Sequence, residues 1–301
     1  MKIFVTGGTG KLGSKVIKLL LKNNHKVVAL TRNKFIEDCE NVEGDLFSFD
    51  LSSMKGCDAI IHIAGLVNFY SKDDLFNVNV DGTREIVEKA NELKIPYFLH
   101  ISSISIYGKK NNDNITEDTS FNPDTSYAKS KYLSEIEITK FKNKKCVLRP
   151  GMIYGPGYKN GFEKALKMVK KGKFYVFGDG NNFVPLVSVD LIAEQVLFCL
   201  ENEISGIYNS IDEEKITQNE VLKFLAKTID VEFKIKKIPS FLSRLLILIY
   251  NLIKKDKIPY EYIQMLNTNR KVYSKLYNMG FKTKINQKEK LKEFIELLDV
   301  E

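Results

Sequence analysis

The chain has 301 residues, 44% of them hydrophobic, so it is long enough to bury one large core or two unequal ones. Its net charge of +8 comes from lysines and arginines spread along the whole chain, and this dispersion argues against nucleic acid as the partner. The 4 cysteines lie far apart and the 3 histidines show no metal-ligand spacing, so we expect reduced cysteines and no metal site.

The amino terminus reads MKIFVTGG and enters a strand-like run at once, without the charged and apolar regions of a signal peptide. The longest apolar run, FLSRLLILIYNLI at 241–253, is too short to span a bilayer and is interrupted by Arg244. We therefore expect a cytoplasmic protein without stable membrane insertion, in which this run is a packed helix or lines a pocket for an apolar substrate.

Short apolar strands alternate with helical patterns through the first half of the chain. The strand runs lack polar alternation, which is typical of strands covered on both faces, and they lie at 2–6, 26–31, 58–64, 96–102 and 145–150. Helices are predicted between them, at about 11–23, 72–94 and 126–141. This repetition predicts an α/β fold with a Rossmann-type, doubly wound parallel sheet.

The alternation of strands and helices is less regular in the second half of the chain. It predicts a helix at about 161–171, a strand at 173–177, a strand and helix within 186–201, and mostly helical structure over 213–301. We therefore predict a first domain that contains the parallel sheet, formed by residues 1–155 with about 184–204. A smaller, mostly helical substrate lobe is predicted from about 156–183 with 205–301.

The stretch TGGTGKLG at 6–13 follows the first strand and opens the first helix. Gly7, Gly10 and Gly13 have the spacing GxxGxxG. Glycine permits a sharp turn and lets a pyrophosphate approach the backbone N–H groups of the helix amino terminus. In this strand–turn–helix context the motif predicts dinucleotide binding, and a plain tight turn is the alternative.

The tip of the second strand bears on the choice of dinucleotide. Thr31 and Arg32 stand where a carboxylate would bind the ribose 2′-hydroxyl of NAD, so the sequence favours NADP over NAD. Alternatively, Arg32 is a solvated loop residue and NAD binds through other groups. Asp45 either accepts a hydrogen bond from the adenine amino group or caps the turn that follows it.

A polar stretch at 125–137, TSYAKSKYLSEIE, places Tyr127 and Lys131 four residues apart, on one face of a helix. A surface helix with scattered charges is the ordinary interpretation of such a stretch. The chemical interpretation is that the lysine ammonium favours the phenolate and brings a tyrosine with a usual pKa of about 10 into the range of a working base.

Eight motifs in order give the chain a resemblance to the extended short-chain dehydrogenase/reductase family, which contains nucleotide-sugar epimerases, dihydroflavonol reductases and 3β-hydroxysteroid dehydrogenases. They are TGGTGKLG (6–13), GDL (44–46), HIAG (62–65), NVDGT (79–83), ISSISIYG (101–108), YAKSK (127–131), RPGMIYGPG (149–157) and SVDLIA (188–193). The resemblance covers nearly the whole chain.

The resemblance implies a role for particular residues. Ser103, Tyr127 and Lys131 resemble the catalytic trio, and Asn79 resembles a helix asparagine near the nicotinamide, although it is also explained as an ordinary polar helix residue. The cofactor-binding positions that it implies are Thr6, Gly7, Gly10, Lys11, Leu12, Gly13, Arg32, Asp45, Leu46, Ala64, Gly65, Tyr127, Lys131 and Pro150.

Two departures from the family pattern bear on the reaction. Ile104 and Ser105 stand where dehydratases carry an Asp–Glu pair, so dehydration is not expected. Val184 and Pro185 stand in the loop where nucleotide-sugar enzymes place an arginine. On this basis the chain resembles the steroid and dihydroflavonol branch more closely.

The leading hypothesis is an NAD(P)-dependent oxidoreductase that interconverts a secondary alcohol and a ketone on a small-molecule substrate. A nucleotide-sugar 4-epimerase with the same site is the alternative, and a non-catalytic dinucleotide-binding subunit is a further one. The resemblance also implies a possible homodimer that pairs through the helices at about 72–94 and 126–141.

Overall fold

The computed structural model describes residues 1–67, 71–109, 112–158, 161–239 and 268–300, together with the single positions 242, 245 and 252. Apart from these three leucines, the apolar run at 241–253 lies outside the described residues. Its interpretation as a packed helix or as a wall of an apolar pocket therefore stays a prediction.

The described strands are numbered along the chain. They are β1 (Lys2–Thr6), β2 (Lys26–Thr31), β3 (Glu40–Glu43), β4 (Ala59–His62), β5 (Tyr97–Ile101), β6 (Asn112–Ile115), β7 (Lys144–Pro150), β8 (Met152–Tyr154), β9 (Lys173–Phe177), β10 (Phe183–Val184), β11 (Leu186–Ser188), β12 (Gly206–Ser210), β13 (Ile216–Thr217), β14 (Lys234–Ile238) and β15 (Arg270–Val272).

The described helices are numbered in the same way. They are α1 (Lys11–Lys22), α2 (Lys72–Phe76), α3 (Gly82–Glu92), α4 (Ser126–Thr139), α5 (Phe162–Lys170), α6 (Val189–Glu201), α7 (Gln218–Thr228) and α8 (Gln287–Val300). A π-helical turn at Asn77–Asp81 joins α2 to α3. The predicted helix at 72–94 is therefore present, with an irregular segment in its middle.

Seven strands form the central sheet in the order β12-β7-β5-β4-β1-β2-β3, and each neighbouring pair is parallel. The α/β, doubly wound fold predicted from the sequence is confirmed. Two strands were missed, because β3 is short and polar and β12 contains polar residues. The second segment of the predicted substrate lobe began at residue 205, whereas β12 pairs with β7 in the central sheet.

Helices cover the sheet on both faces, and the strands are apolar on both sides for that reason. Along β1, Ile3 and Val5 pack in a core with α1 and α6, whereas Phe4 between them packs in a second core with α3. This is the two-residue alternation of a strand.

A third apolar cluster joins α5, α7 and α8, through residues such as Leu166, Leu222 and Phe294. Around it lie short strand pairs, β9 with β14 and β10 with β13. The described part of this region is therefore mixed rather than mostly helical. The division of the chain into two lobes stays a prediction.

A buried ion pair fastens α4 to the sheet. Arg149 on β7 is 1% exposed and Glu135 on α4 is 7% exposed, and the guanidinium donates to both carboxylate oxygens at 2.9 and 2.7 Å. The guanidinium also donates to the Tyr107 hydroxyl at 2.7 Å, and Ser102 at the end of β5 donates to Glu135 at 2.5 Å. Bidentate pairing of this kind fixes orientation as well as distance.

Removing one partner of this pair leaves a buried charge without compensation. We expect Glu135→Gln to lower the free energy of unfolding by roughly 3–5 kcal/mol, measured by urea denaturation. The control is Glu203→Gln, because Glu203 pairs with Lys144 where both side chains are more than half exposed. That variant should change stability by less than about 1 kcal/mol. Equal losses in the two variants would contradict the anchoring role of Glu135.

Candidate functional site

The candidate site lies at the carboxyl ends of β1 and β4, where the connections of the sheet diverge to opposite sides. This is the position at which open α/β sheets bind ligands. Gly7 ends β1 with φ +74°, and a Cβ there would lie 2.6 Å from the backbone nitrogen of Ala64. Only glycine allows the two loops to approach so closely.

The amino terminus of α1 opens into this crevice. Gly10 is its N-cap and supplies no side-chain hydrogen bond to the first turn. A Cβ at Gly13 would collide with the carbonyl of Gly7. The loop thus brings backbone N–H groups to a surface without side chains, which fits a pyrophosphate. Leu12 is buried beneath the loop and Lys11 is exposed beside it.

Sequence reasoning missed Tyr158, which lies over the same helix terminus. The Lys11 ammonium is 5.3 Å from the centre of its ring. Burial raises the pKa of Tyr158 to about 12, while the backbone N–H of Leu12 acts in the opposite direction. The turn at 155–158 therefore closes the crevice from the side of the second half of the chain. No family motif in the sequence pointed to this residue.

A chain of hydrogen bonds runs beneath the crevice from β1 to the π-helical turn. The Thr83 hydroxyl donates to the Asn79 carbonyl at 2.7 Å, so its oxygen accepts from His62 Nε2 at 3.0 Å. In the neutral ring Nδ1 is then the acceptor, and it receives the Thr6 hydroxyl at 2.7 Å. Thr6 in turn accepts the N–H of Ala64 at 3.3 Å. In each of these hydrogen bonds the donor and the acceptor are therefore determined.

Asn79 uses its amide to join two elements of the site. Its side-chain oxygen accepts the N–H of Leu66 at 2.7 Å, and its Nδ2 donates to the Leu66 carbonyl and to Ser130 Oγ, at 3.0 and 2.9 Å. It is 1% exposed. These contacts make it a positioning residue, which holds the loop after β4 against α4.

Lys131 places a buried ammonium group at the edge of the crevice. It is 5% exposed, and its Nζ donates to the Ile101 carbonyl at the end of β5, at 2.9 Å. Burial lowers the pKa of Lys131 to about 8, while Glu135 acts in the opposite direction. A Cβ at Gly65 would lie 3.2 Å from this Nζ, so glycine keeps the space beside the ammonium open.

Tyr127 lies one turn before Lys131 on α4 and is half-buried. Ser103 acts to lower the pKa of its phenol, but burial is the larger effect and raises that pKa. Lys131 is not among the causes of this shift, and its ammonium is turned to Ile101. The pKa of Tyr127 is raised rather than lowered, so the expectation that Lys131 lowers it is not met.

The remaining predicted cofactor positions lie at the ends of β2, β3 and β7. Asp45 is exposed, and one oxygen accepts the N–H groups of Phe47 and Ser48 at 2.8 and 2.9 Å, as a turn cap does. Arg32 is exposed beyond β2. Leu46 and Pro150 are buried, the first against Gly82 at the start of α3 and the second at the end of β7.

Within the described ranges, no cluster of three or more histidine, cysteine or carboxylate side chains is arranged to hold a metal ion. The helices of those ranges also include none with the length and apolar character needed to cross a bilayer.

The chain is similar to known proteins in sequence and in fold. The sequence model of the NAD dependent epimerase/dehydratase family matches residues 3–210. A putative UDP-glucose 4-epimerase of Methanocaldococcus jannaschii is 30% identical over 232 residues, which is 68% of this chain and 76% of that protein. The family match over residues 3–210 includes the glycine loop, the Ser103 turn and α4.

Two further proteins extend the comparison. The N-acetyl-α-D-glucosaminyl-diphospho-ditrans,octacis-undecaprenol 4-epimerase of Escherichia coli is 24% identical over 255 residues, 79% of this chain and 74% of that protein. The crystal structure of the UDP-glucuronic acid 4-epimerase of Bacillus cereus in complex with NAD has a TM-score of 0.77 at 19% identity, covering 100% of this chain and 99% of that one. At this identity the structural likeness shows the fold.

The glycine loop gives a first test of the site. We expect Gly13→Ala to weaken NAD binding at least about tenfold, because the new methyl group displaces the Gly7 carbonyl and widens the turn. Isothermal titration calorimetry measures the affinity. The control is Ser14→Ala, on the exposed face of α1. Unchanged affinity in Gly13→Ala would mean that the ligand does not use this loop.

The two buried histidines predict an acid-sensitive fold. Burial lowers the pKa of His62 to about 3 and that of His100 well below its usual value, and Lys131 adds to both shifts. Below pH 6.5 the unfolded chain binds protons that the folded chain does not, so stability falls as pH falls, by up to about 1.4 kcal/mol per pH unit for each ring.

Urea denaturation at pH 7 and pH 5 measures this slope. We expect His62→Gln and His100→Gln each to reduce it relative to the unmodified protein. A slope that stays the same in both variants would show that the rings already accept protons in the folded state.

Proposed function

Because the chain belongs to the NAD-dependent epimerase/dehydratase family, we propose that it inverts the C4 hydroxyl of a sugar carried on a diphosphate. The observation that carries this proposal is the position of Tyr127 on α4, one helical turn before the buried ammonium of Lys131 and near Ser103, which acts to lower the pKa of Tyr127. The relatives from Methanocaldococcus jannaschii and Escherichia coli, both named as 4-epimerases, support the choice of reaction.

Each side chain has a role in the proposed reaction. Tyr127 removes the proton of the C4 hydroxyl and later returns it, and Ser103 hydrogen-bonds to the same oxygen in both directions. Lys131 would stabilise the phenolate form of Tyr127 with its positive charge, and it would hold the ribose of the bound dinucleotide. The bound dinucleotide supplies the hydride acceptor and donor.

The same trio also serves a reductase, which was the leading hypothesis from the sequence. The reductase hypothesis was supported by the residues Val184 and Pro185, which stand where nucleotide-sugar enzymes place an arginine. The family match and the two relatives named as 4-epimerases favour epimerisation instead. Dehydration needs a further acid and base beside Ser103. Ile104 is buried and apolar there, and Ser105 carries no charge, so neither can supply one.

We propose NAD as the cofactor. The preference for NADP rested on Arg32, which is exposed at the end of β2, and these relatives give it no support. An epimerase returns the hydride to the same substrate, so its dinucleotide needs only to remain bound. Asp45 keeps one carboxylate oxygen beyond its turn-capping bonds, and that oxygen is available to an adenine amino group.

The test is the inversion of UDP-glucose and UDP-N-acetylglucosamine by the NAD-loaded protein, followed by proton NMR of the anomeric signals. We expect Tyr127→Phe to slow inversion by at least about 100-fold while NAD affinity stays near that of the unmodified protein. Tyr132→Phe is the matched control, because Tyr132 lies on the same helix but packs on Phe121.

Absorbance of reduced nicotinamide distinguishes the reactions. An epimerase shows no net accumulation, whereas a dehydrogenase accumulates reduced cofactor in proportion to oxidised substrate. Stoichiometric reduction of added NAD without inversion would replace the epimerase proposal with the reductase. Full activity in Tyr127→Phe would remove the proposed mechanism.

A further inference from the structure

A short turn at 155–158 follows β8 and precedes α5. The backbone N–H of Tyr158 closes it by donating to the Gly155 carbonyl at 2.9 Å. A Cβ at Gly155 would lie 2.8 Å from Cγ1 of Val189, the first residue of α6. The turn therefore packs closely on the amino terminus of α6.

The same turn covers the amino terminus of α1. A Cβ at Gly157 would lie 3.3 Å from Cδ of Lys11, and the Lys11 ammonium is 5.3 Å from the centre of the Tyr158 ring. Tyr158 is half-buried and packs against the apolar core that contains Leu12. Because a cation and the face of an aromatic ring attract each other, these contacts hold the ring over the first turn of α1.

The groups that act on the pKa of Tyr158 indicate where its hydroxyl lies. Burial raises that pKa to about 12, the backbone N–H of Leu12 lowers it, and the Tyr127 phenol raises it. An N–H group lowers the pKa of a phenol by favouring its charged oxygen, and this effect requires proximity. The hydroxyl is therefore near the first turn of α1, on the side of the crevice that Tyr127 shares.

The position of this hydroxyl bears on cofactor binding. Leu12 is the second residue of α1, so its N–H has no carbonyl partner within the helix. N–H groups of this kind are the donors that a pyrophosphate uses at a helix amino terminus. The Tyr158 phenol and a pyrophosphate therefore compete for the same part of the crevice.

We propose that Tyr158 is an autoinhibitory residue, which occupies the pyrophosphate position in the free protein and has to be displaced before the dinucleotide binds. The inference rests on the proposed NAD cofactor and does not depend on which sugar the protein inverts. A protein whose site is mostly closed binds its ligand more weakly, in proportion to the fraction that is open. Tyr158 therefore lowers the affinity for the dinucleotide instead of contributing to it.

The experiment measures binding of NADH to the cofactor-free protein by stopped flow, with the fluorescence of the reduced nicotinamide as the signal. We expect Tyr158→Ala to raise both the association rate constant and the affinity roughly tenfold, with the dissociation rate constant unchanged. Tyr158→Phe keeps the ring and removes the hydroxyl, so its increase should be smaller, about threefold. The melting temperature of each variant tests its folding.

Tyr175→Ala is the matched control. The Lys236 ammonium is 6.0 Å from the centre of the Tyr175 ring, so this variant removes the same kind of contact from the β9–β14 pair. Its rate constants for NADH should equal those of the unmodified protein.

The sign of the change in affinity decides the outcome. Weaker binding by Tyr158→Ala, through faster dissociation, overturns the proposal, because the ring would then be a contact of the bound dinucleotide. An association rate constant unchanged in both Tyr158 variants overturns it as well. Either result leaves the proposed reaction in place, since Tyr127→Phe tests that separately. Absence of NADH binding to the unmodified protein would overturn the cofactor proposal together with this one.

Discussion

The buried pair of Arg149 and Glu135 is the constraint on which the geometry of the crevice depends. Tyr127, Lys131 and Glu135 are four residues apart, so they lie on one face of α4. The Arg149 guanidinium donates to both carboxylate oxygens of Glu135. This pairing determines the rotation of α4 about its own axis relative to the sheet. The phenol and the ammonium are thereby directed toward the end of β5.

This arrangement requires α4 to bury polar side chains against the sheet. Ser130, Lys131, Ser134 and Glu135 are all buried, and each has a hydrogen-bond partner among the described residues. Burial also keeps the neighbouring histidine rings neutral, because a second positive charge near Lys131 would be poorly solvated. Among the described residues beneath the crevice, the buried ammonium group of Lys131 is therefore surrounded by polar groups whose hydrogen bonds each have a determined donor and acceptor.

The proposed catalytic trio does not distinguish an epimerase from a reductase, since both reactions would use a phenol that exchanges a proton with a secondary hydroxyl. The distinction depends on what holds the substrate after hydride transfer. A diphosphate bound at a distance from the reacting carbon would allow the sugar to turn while it stays attached.

The sequence by itself determined the parallel sheet, the glycine turn and the Tyr127–Lys131 spacing, because these depend on local periodicity and on residues that few alternatives can replace. It did not reveal Tyr158 or the anchoring role of Glu135. Their partners lie on other elements: Tyr158 meets Lys11 on α1, and Glu135 meets Arg149 on β7. The tertiary structure alone decided these contacts, because a charge acquires its partner only when distant segments pack together. For the same reason the pKa of Tyr127 followed from its burial and from Ser103 rather than from the spacing to Lys131.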